Sequence, residues 1–281
     1  MSVQLDSLDA LAEQFDTFLI DQFGVLMKGD GPYAFAPAAL QKLAALGKRI
    51  IVLSNSGKRS VHNNDRFVTN GFTRESFETV LSSGEVAFDY LKLRIGDTIQ
   101  ASSKVLVLSR EGDLSSIEGL PLTATENPDE ADLILLAGSR GDVQTLEDYR
   151  TVMQGPADRG IKCLCTNPDM TMLTPKGLRF AAGKIASLYE DMGGNVEWIG
   201  KPYPMIYDAA YRLLGQPARD TIVCIGDSPA HDILGGQRAG FKTTLVRTGI
   251  HADESDAMIA YECEKLGTVP DFIMPQFSFS R

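Results

Sequence analysis

The stretch LIDQFGVLMKG, residues 19–29, runs an apolar segment into a carboxylate, Asp21, and then into a glycine turn with Phe23 just before it. A carboxylate at the end of a buried strand costs free energy unless something compensates it. The carboxyl ends of parallel strands are also where such sheets place their ligands. Working outward, short apolar runs recur with helical segments between them: TFLID, RIIVLS, KVLVLS, DLILLAGS, IKCLCTN, TIVCIGD and KTTLVRTG. This rhythm predicts parallel βα units, because strands covered on both faces lose polar alternation. Leu40, Leu43 and Ala44 keep helical spacing from Pro37 to Gly47; Ile206, Ala209, Ala210 and Leu213 do so from Pro202 to Gly215.

A chain of 281 residues that is 43% hydrophobic can bury one large core or two modest ones. Lys plus Arg number 27 against 37 Asp plus Glu, a formal net charge of -10. That balance repels polyphosphate backbones and anionic membranes, so neither nucleic acid nor membrane is expected as a partner. The densest basic stretch, GKRSVHNNDR, is broken by polar and acidic residues and reads as a solvated face. The opening MSVQLDSLDALAEQF carries acids where a signal peptide has a basic and then an apolar region, which predicts a cytoplasmic protein. Cys163 and Cys165 alternate along one run and read as buried thiols, since no further cysteine pair or nearby histidine completes a metal site.

Polar residues fall at further segment ends: Ser54 and Asn55 in LSNSG, Lys201 in IGKPYP, and Asp227 and Asp232 in CIGDSPAHD. Each alone has an ordinary explanation, as a helix cap or a turn residue. In this order and at these spacings they resemble the haloacid dehalogenase superfamily, over about residues 15–80 and 185–250. The likeness is strongest to its class IIA, NagD-like sugar and nitrophenyl phosphatases, through the GVL turn, the flap MKGDGPYAFAPAA, the GKP lysine and CTNPD at Asn167 to Asp169.

The resemblance implies a Rossmann-like α/β core with a parallel sheet, residues 1–80 and 183–281, interrupted by an α/β class IIA cap, residues 81–182. It implies hydrolysis of a small phosphorylated metabolite, a sugar or polyol phosphate, and leaves a homodimer open. Asp21 would be the nucleophile, forming an aspartyl phosphate; Ser54, the backbone around Asn55, and Lys201 would hold the phosphoryl oxygens; Asn167 and Asp169 would contact substrate. If Asp21, Asp227 and Asp232 converge, a pair of carboxylates about 4 Å apart costs about 4 kcal/mol at an effective dielectric near 20, so a cation must sit among them. Hard oxygen ligands and a phosphate substrate favour Mg2+. By the family pattern its ligands are Asp21, Asp227, the main-chain carbonyl of Phe23, and Asp232 directly or in support.

One position departs from the family. Superfamily phosphatases carry a second aspartate two residues after the nucleophile, where it protonates the leaving oxygen and later activates water. Phe23 keeps the backbone carbonyl but cannot transfer a proton, and general acid–base catalysis is worth about 10²–10⁴-fold. His62 or His231 could substitute. A phosphometabolite-binding or regulatory protein with little turnover is the alternative reading. Lys176 and Arg179 in TPKGLRF could reach an anionic group, Trp198 reads as core or edge packing, and a short apolar piece in the tail GTVPDFIMPQFSFSR as a final edge strand.

Overall fold

The computed structural model describes residues 2–174 and 177–280. The chain divides into two compact units, Met1–Ser54 with Val61–Leu81 and Lys201–Arg281, and Asn55–Ser60 with Ser82–Gly200.

The first unit is built on a seven-stranded sheet. Its strand order is Val3–Gln4, Phe272–Met274, Lys242–Val246, Ile222–Gly226, Thr17–Asp21, Arg49–Ser54 and Thr79–Ser82. Pairing is parallel from Val3–Gln4 across to Arg49–Ser54. The chain leaves Thr17–Asp21 toward one edge by way of Arg49–Ser54, and fills the other side from Ile222–Gly226 outward. Asp21 therefore ends the strand at which the winding reverses, where open α/β sheets leave a crevice for ligands. The central strands are largely apolar: Phe18, Ile20, Ile50, Val52, Val223 and Ile225 pack in one core with Leu8, Leu11, Leu40 and Leu43, and Leu245 packs in another with Ile233, Ile259 and Cys263.

The helix expected after Pro37 runs Ala36–Ala45, and Gly47 closes it at φ +75°, a conformation glycine adopts without steric cost. The second expected helix starts later than Pro202, at Pro204, and its buried face is shifted. Ile206, Tyr207, Ala210 and Leu214 turn inward, whereas Leu213 is exposed. Those four residues span about 100° of the helix surface at 3.6 residues per turn, and Leu213 lies at the margin of that face, beside Ile206, where it is left exposed. The apolar piece near the carboxyl terminus, Phe272–Met274, is not the edge: Val3–Gln4 pairs outside it.

The second unit holds a five-stranded parallel sheet in the order Asn195–Trp198, Lys162–Cys165, Leu133–Leu136, Lys104–Leu108 and Thr123–Thr125. An antiparallel hairpin, Thr171–Thr174 with Gly177–Phe180, follows its fourth strand in sequence. This unit extends to Gly200, past the expected boundary at 182. Helix Ala182–Asp191 buries Ile185, Ala186 and Tyr189 against Cys163, Cys165 and Leu136, and strand Asn195–Trp198 pairs with Lys162–Cys165. All four cysteines are buried and free. Among the described residues no helix is long and apolar enough to cross a membrane.

Candidate active site

Within the first unit, four side chains from three chain segments meet beyond the carboxyl ends of the central strands. Asp21 ends its own strand, Asp227 follows strand Ile222–Gly226, and Asp232 sits in the helical turn Pro229–Ile233. One carboxylate oxygen of each lies within 4.8 Å of the others. Lys201 is only 3% exposed and donates to both Asp21 Oδ1 and Asp232 Oδ1, the latter at 2.7 Å. A lysine that buried has left solvent for these partners.

Backbone groups hold the acids in place. The Ile250 N–H donates to Asp227 Oδ2 at 2.8 Å, and the Ser228 N–H to Asp232 Oδ2 at 3.2 Å. Two glycines make room for Asp227. A Cβ on Gly24, at φ +96°, would stand 2.1 Å from Asp227 Oδ2, and one on Gly249, at φ +75°, only 1.8 Å from it. Neither space nor backbone conformation tolerates a side chain there.

Burial first, and then the charges of Asp232 and Asp227, push the Asp21 carboxyl well above its ordinary range although Lys201 pulls it down. Burial, then the charge of Asp232, raises Asp227 from 3.8 to about 7. Lys201 moves the other way for a buried amine: burial favours the neutral form, but Asp21 and Asp232 together outweigh it and hold the ammonium charged. Three acids thus share one positive charge. The deficit and the all-oxygen donor set fit a hard divalent cation.

Phe23 follows in the turn after Asp21, and its ring is 46% exposed. The Arg66 guanidinium, from helix Ser60–Thr69, stands over that ring, 5.6 Å from its centre. Ser54 is buried at the end of the strand beside Asp21, where Asp21 is in register with Leu53. His231 is tied to its own turn, with Nδ1 3.0 Å from Ser228 Oγ and its carbonyl accepting from Tyr207 at 2.9 Å. His62 is exposed on helix Ser60–Thr69.

The remaining expected residues belong to the second unit. Asn55 Nδ2 donates to Asp169 Oδ1 at 2.8 Å, and Asn167 Oδ1 accepts from the Asp169 N–H at 3.1 Å, a turn closed by asparagine. Arg179 donates to the carbonyl of Leu178; Lys176 lies outside the described residues. Trp198 is half-buried, with Nε1 3.1 Å from Glu190 Oε1. Sequence reasoning missed the Ile250 amide, Gly249 and Arg66. The glycine after strand KTTLV carried a visible turn signal, whereas nothing in the sequence brings Arg66 to Phe23.

Comparison with known proteins agrees with this architecture. A haloacid dehalogenase-like hydrolase family model matches residues 18–123, and a related HAD-hydrolase-like model matches 198–274. Mouse chronophin is 30% identical over 242 residues, 84% of this chain and 82% of that protein. Sugar-phosphatase AraL of Bacillus subtilis is 29% identical over 234 residues, 82% of each chain. A crystal structure of a haloacid dehalogenase-like hydrolase from Brucella suis 1330 superposes with a TM-score of 0.83 at 26% identity, covering 97% of this chain and 99% of that one. The parallel-sheet core with a second α/β unit inserted is the fold of these relatives, and the chain belongs to the haloacid dehalogenase-like hydrolases, in the branch whose named members include phosphatases.

Proposed function

We propose that the protein hydrolyses phosphate monoesters of small metabolites, with Asp21 as the nucleophile and a divalent cation in the site. The observation that carries this reading is the sharing of one buried ammonium, Lys201, between Asp21 and Asp232, with Asp227 completing a group of three acids. Asp21, Asp227 and Asp232, with the Phe23 carbonyl that the resemblance adds, are the groups that would hold Mg2+, whose charge when bound offsets that of the phosphoryl oxygens.

In the first step a carboxylate oxygen of Asp21 bonds to phosphorus and the bond to the ester oxygen breaks, its electron pair leaving on that oxygen. Lys201 and Ser54 face the equatorial oxygens, where the transition state spreads its charge. Water then attacks the aspartyl phosphate, freeing inorganic phosphate and restoring the carboxylate. Sugar and polyol phosphates are the first compounds to try, given the relative named a sugar-phosphatase.

Phe23 favours a second reading, a protein that binds phosphorylated metabolites and turns them over little. A screen of phosphate esters with and without Mg2+, beside Asp21→Asn, separates the two. Release of phosphate that needs the metal and Asp21 supports the enzyme; sugar phosphates that raise the melting temperature while no ester of the screen, p-nitrophenyl phosphate included, is hydrolysed support the binder.

A further inference from the structure

Two side chains of this region, Lys201 and Arg66, carry a charge and do not readily give up a proton. Lys201 is held charged by two carboxylates. The side chain that follows in the turn is the hydrocarbon ring of Phe23, and the group standing over it is a guanidinium, which is charged throughout the working range of pH and donates hydrogen bonds without releasing its proton.

Arg66 is brought there by construction. Helix Ser60–Thr69 follows strand Arg49–Ser54, so it starts from the same sheet edge at which Asp21 ends. Long helical side chains point back toward the helix N-terminus. Arg66 does so: its Nη2 donates to Asn63 Oδ1, one turn earlier, at 3.1 Å, and the guanidinium arrives over Phe23. Phe23 is two residues from Asp21, a span of at most about 7 Å in an extended chain.

We infer that Arg66 takes up the negative charge on the leaving oxygen, and that the favoured substrates are monoesters of an acidic, conjugated hydroxyl, a phenol or an enol. This rests on the phosphatase reading of the same site and narrows it. As the bond from Asp21 to phosphorus forms, the electron pair of the breaking P–O bond passes to the leaving oxygen. That oxygen departs unprotonated, as a phenolate or enolate paired with Arg66. The half-exposed ring of Phe23 offers a flat surface for the conjugated group. Sugar and polyol phosphates, whose alkoxides are far more basic, bind and react slowly.

The test is a leaving-group series: kcat/KM on p-nitrophenyl, phenyl and glycerol phosphates for the wild type, Arg66→Gln and Arg66→Lys. The wild type should fall steeply along the series. Arg66→Gln should lose about 10- to 100-fold on phenyl phosphate, the worth of one hydrogen bond to a charged group. It should lose clearly less on p-nitrophenyl phosphate, whose leaving oxygen carries less charge, and Arg66→Lys should recover part of the difference. An equal loss on every ester, or no loss, would overturn the inference and leave the phosphatase intact. Absence of phosphate release from p-nitrophenyl phosphate by the wild type would overturn both.

Discussion

Lys201 Nζ lies 2.7 Å from Asp232 Oδ1, and both side chains are almost wholly withdrawn from solvent. The same ammonium also reaches Asp21, so a single cation is held between acids from two different chain segments. Removing one partner of a buried ion pair leaves an uncompensated charge and costs about 3–5 kcal/mol. Lys201→Met should therefore lower urea-unfolding stability by about that much at neutral pH. The loss should shrink toward pH 5, as the abandoned carboxyls take up protons.

The pH dependence of the metal-free protein follows from Asp227. Its carboxyl titrates at about 7 in the fold, above the ordinary 3.8, so between those values the folded state keeps a proton that the unfolded chain has lost. Stability from this group is complete below about pH 4, falls as pH rises to about 7, and is flat beyond. Melting curves without metal should show the wild type losing more stability than Asp227→Asn between pH 5 and pH 8. Added Mg2+ should raise the wild-type melting temperature more at pH 8 than at pH 5, because it competes with that proton.

Gly24 and Gly249 should tolerate no side chain. Gly24→Ala and Gly249→Ala each drive a methyl group into the Asp227 carboxylate, at 2.1 and 1.8 Å, and each has positive φ. Both should lose more than about 1 kcal/mol of stability and weaken Mg2+ binding measured by calorimetry. Gly47→Ala is the control: its φ is +75° but nothing stands within 4 Å of the added carbon. It should pay the backbone strain alone and leave metal binding unchanged.

In the second unit, the bond from Asn55 to Asp169 joins residues distant in sequence. Hydrogen bonds to charged groups contribute about 1.5–3 kcal/mol. A double-mutant cycle of Asn55→Ala and Asp169→Ala, read by chemical denaturation, should show a coupling energy of about that size. A coupling near zero would mean that the pair is held by its surroundings.

Phe23→Asp supplies a carboxyl where none stands. It should raise turnover on glycerol phosphate by up to about 10²–10⁴-fold, the usual worth of a positioned acid. The gain on p-nitrophenyl phosphate should be far smaller, since that leaving group needs little protonation. Equal gains on both would mean that proton transfer is not what limits the native protein.

Much of this arrangement is legible in the sequence because it follows from local chemistry. The apolar runs TFLID, RIIVLS and TIVCIGD are strands in the structure, and Asp21, Ser54 and Asp227 stand at their carboxyl ends. What the sequence obscured depends on partners far along the chain. Strand Asn195–Trp198 is too short and too polar to announce itself, and only its pairing with Lys162–Cys165 assigns it and helix Ala182–Asp191 to the second unit. Leu213 looked buried by spacing, but the phase of its helix is set by what packs against it.

The sequence by itself determined the alternation of strands and helices, the acids and the lysine that close several segments, and the replacement of a proton donor by Phe23, because each depends on residue type and near-neighbour spacing. Tertiary structure alone decided that Lys201 bridges Asp21 and Asp232, that the Ile250 amide steadies Asp227, and that Arg66 reaches the ring of Phe23. Those contacts join residues that chain order leaves far apart, and the ones Lys201 and Asp227 make gain their strength where burial removes the water that would otherwise screen them.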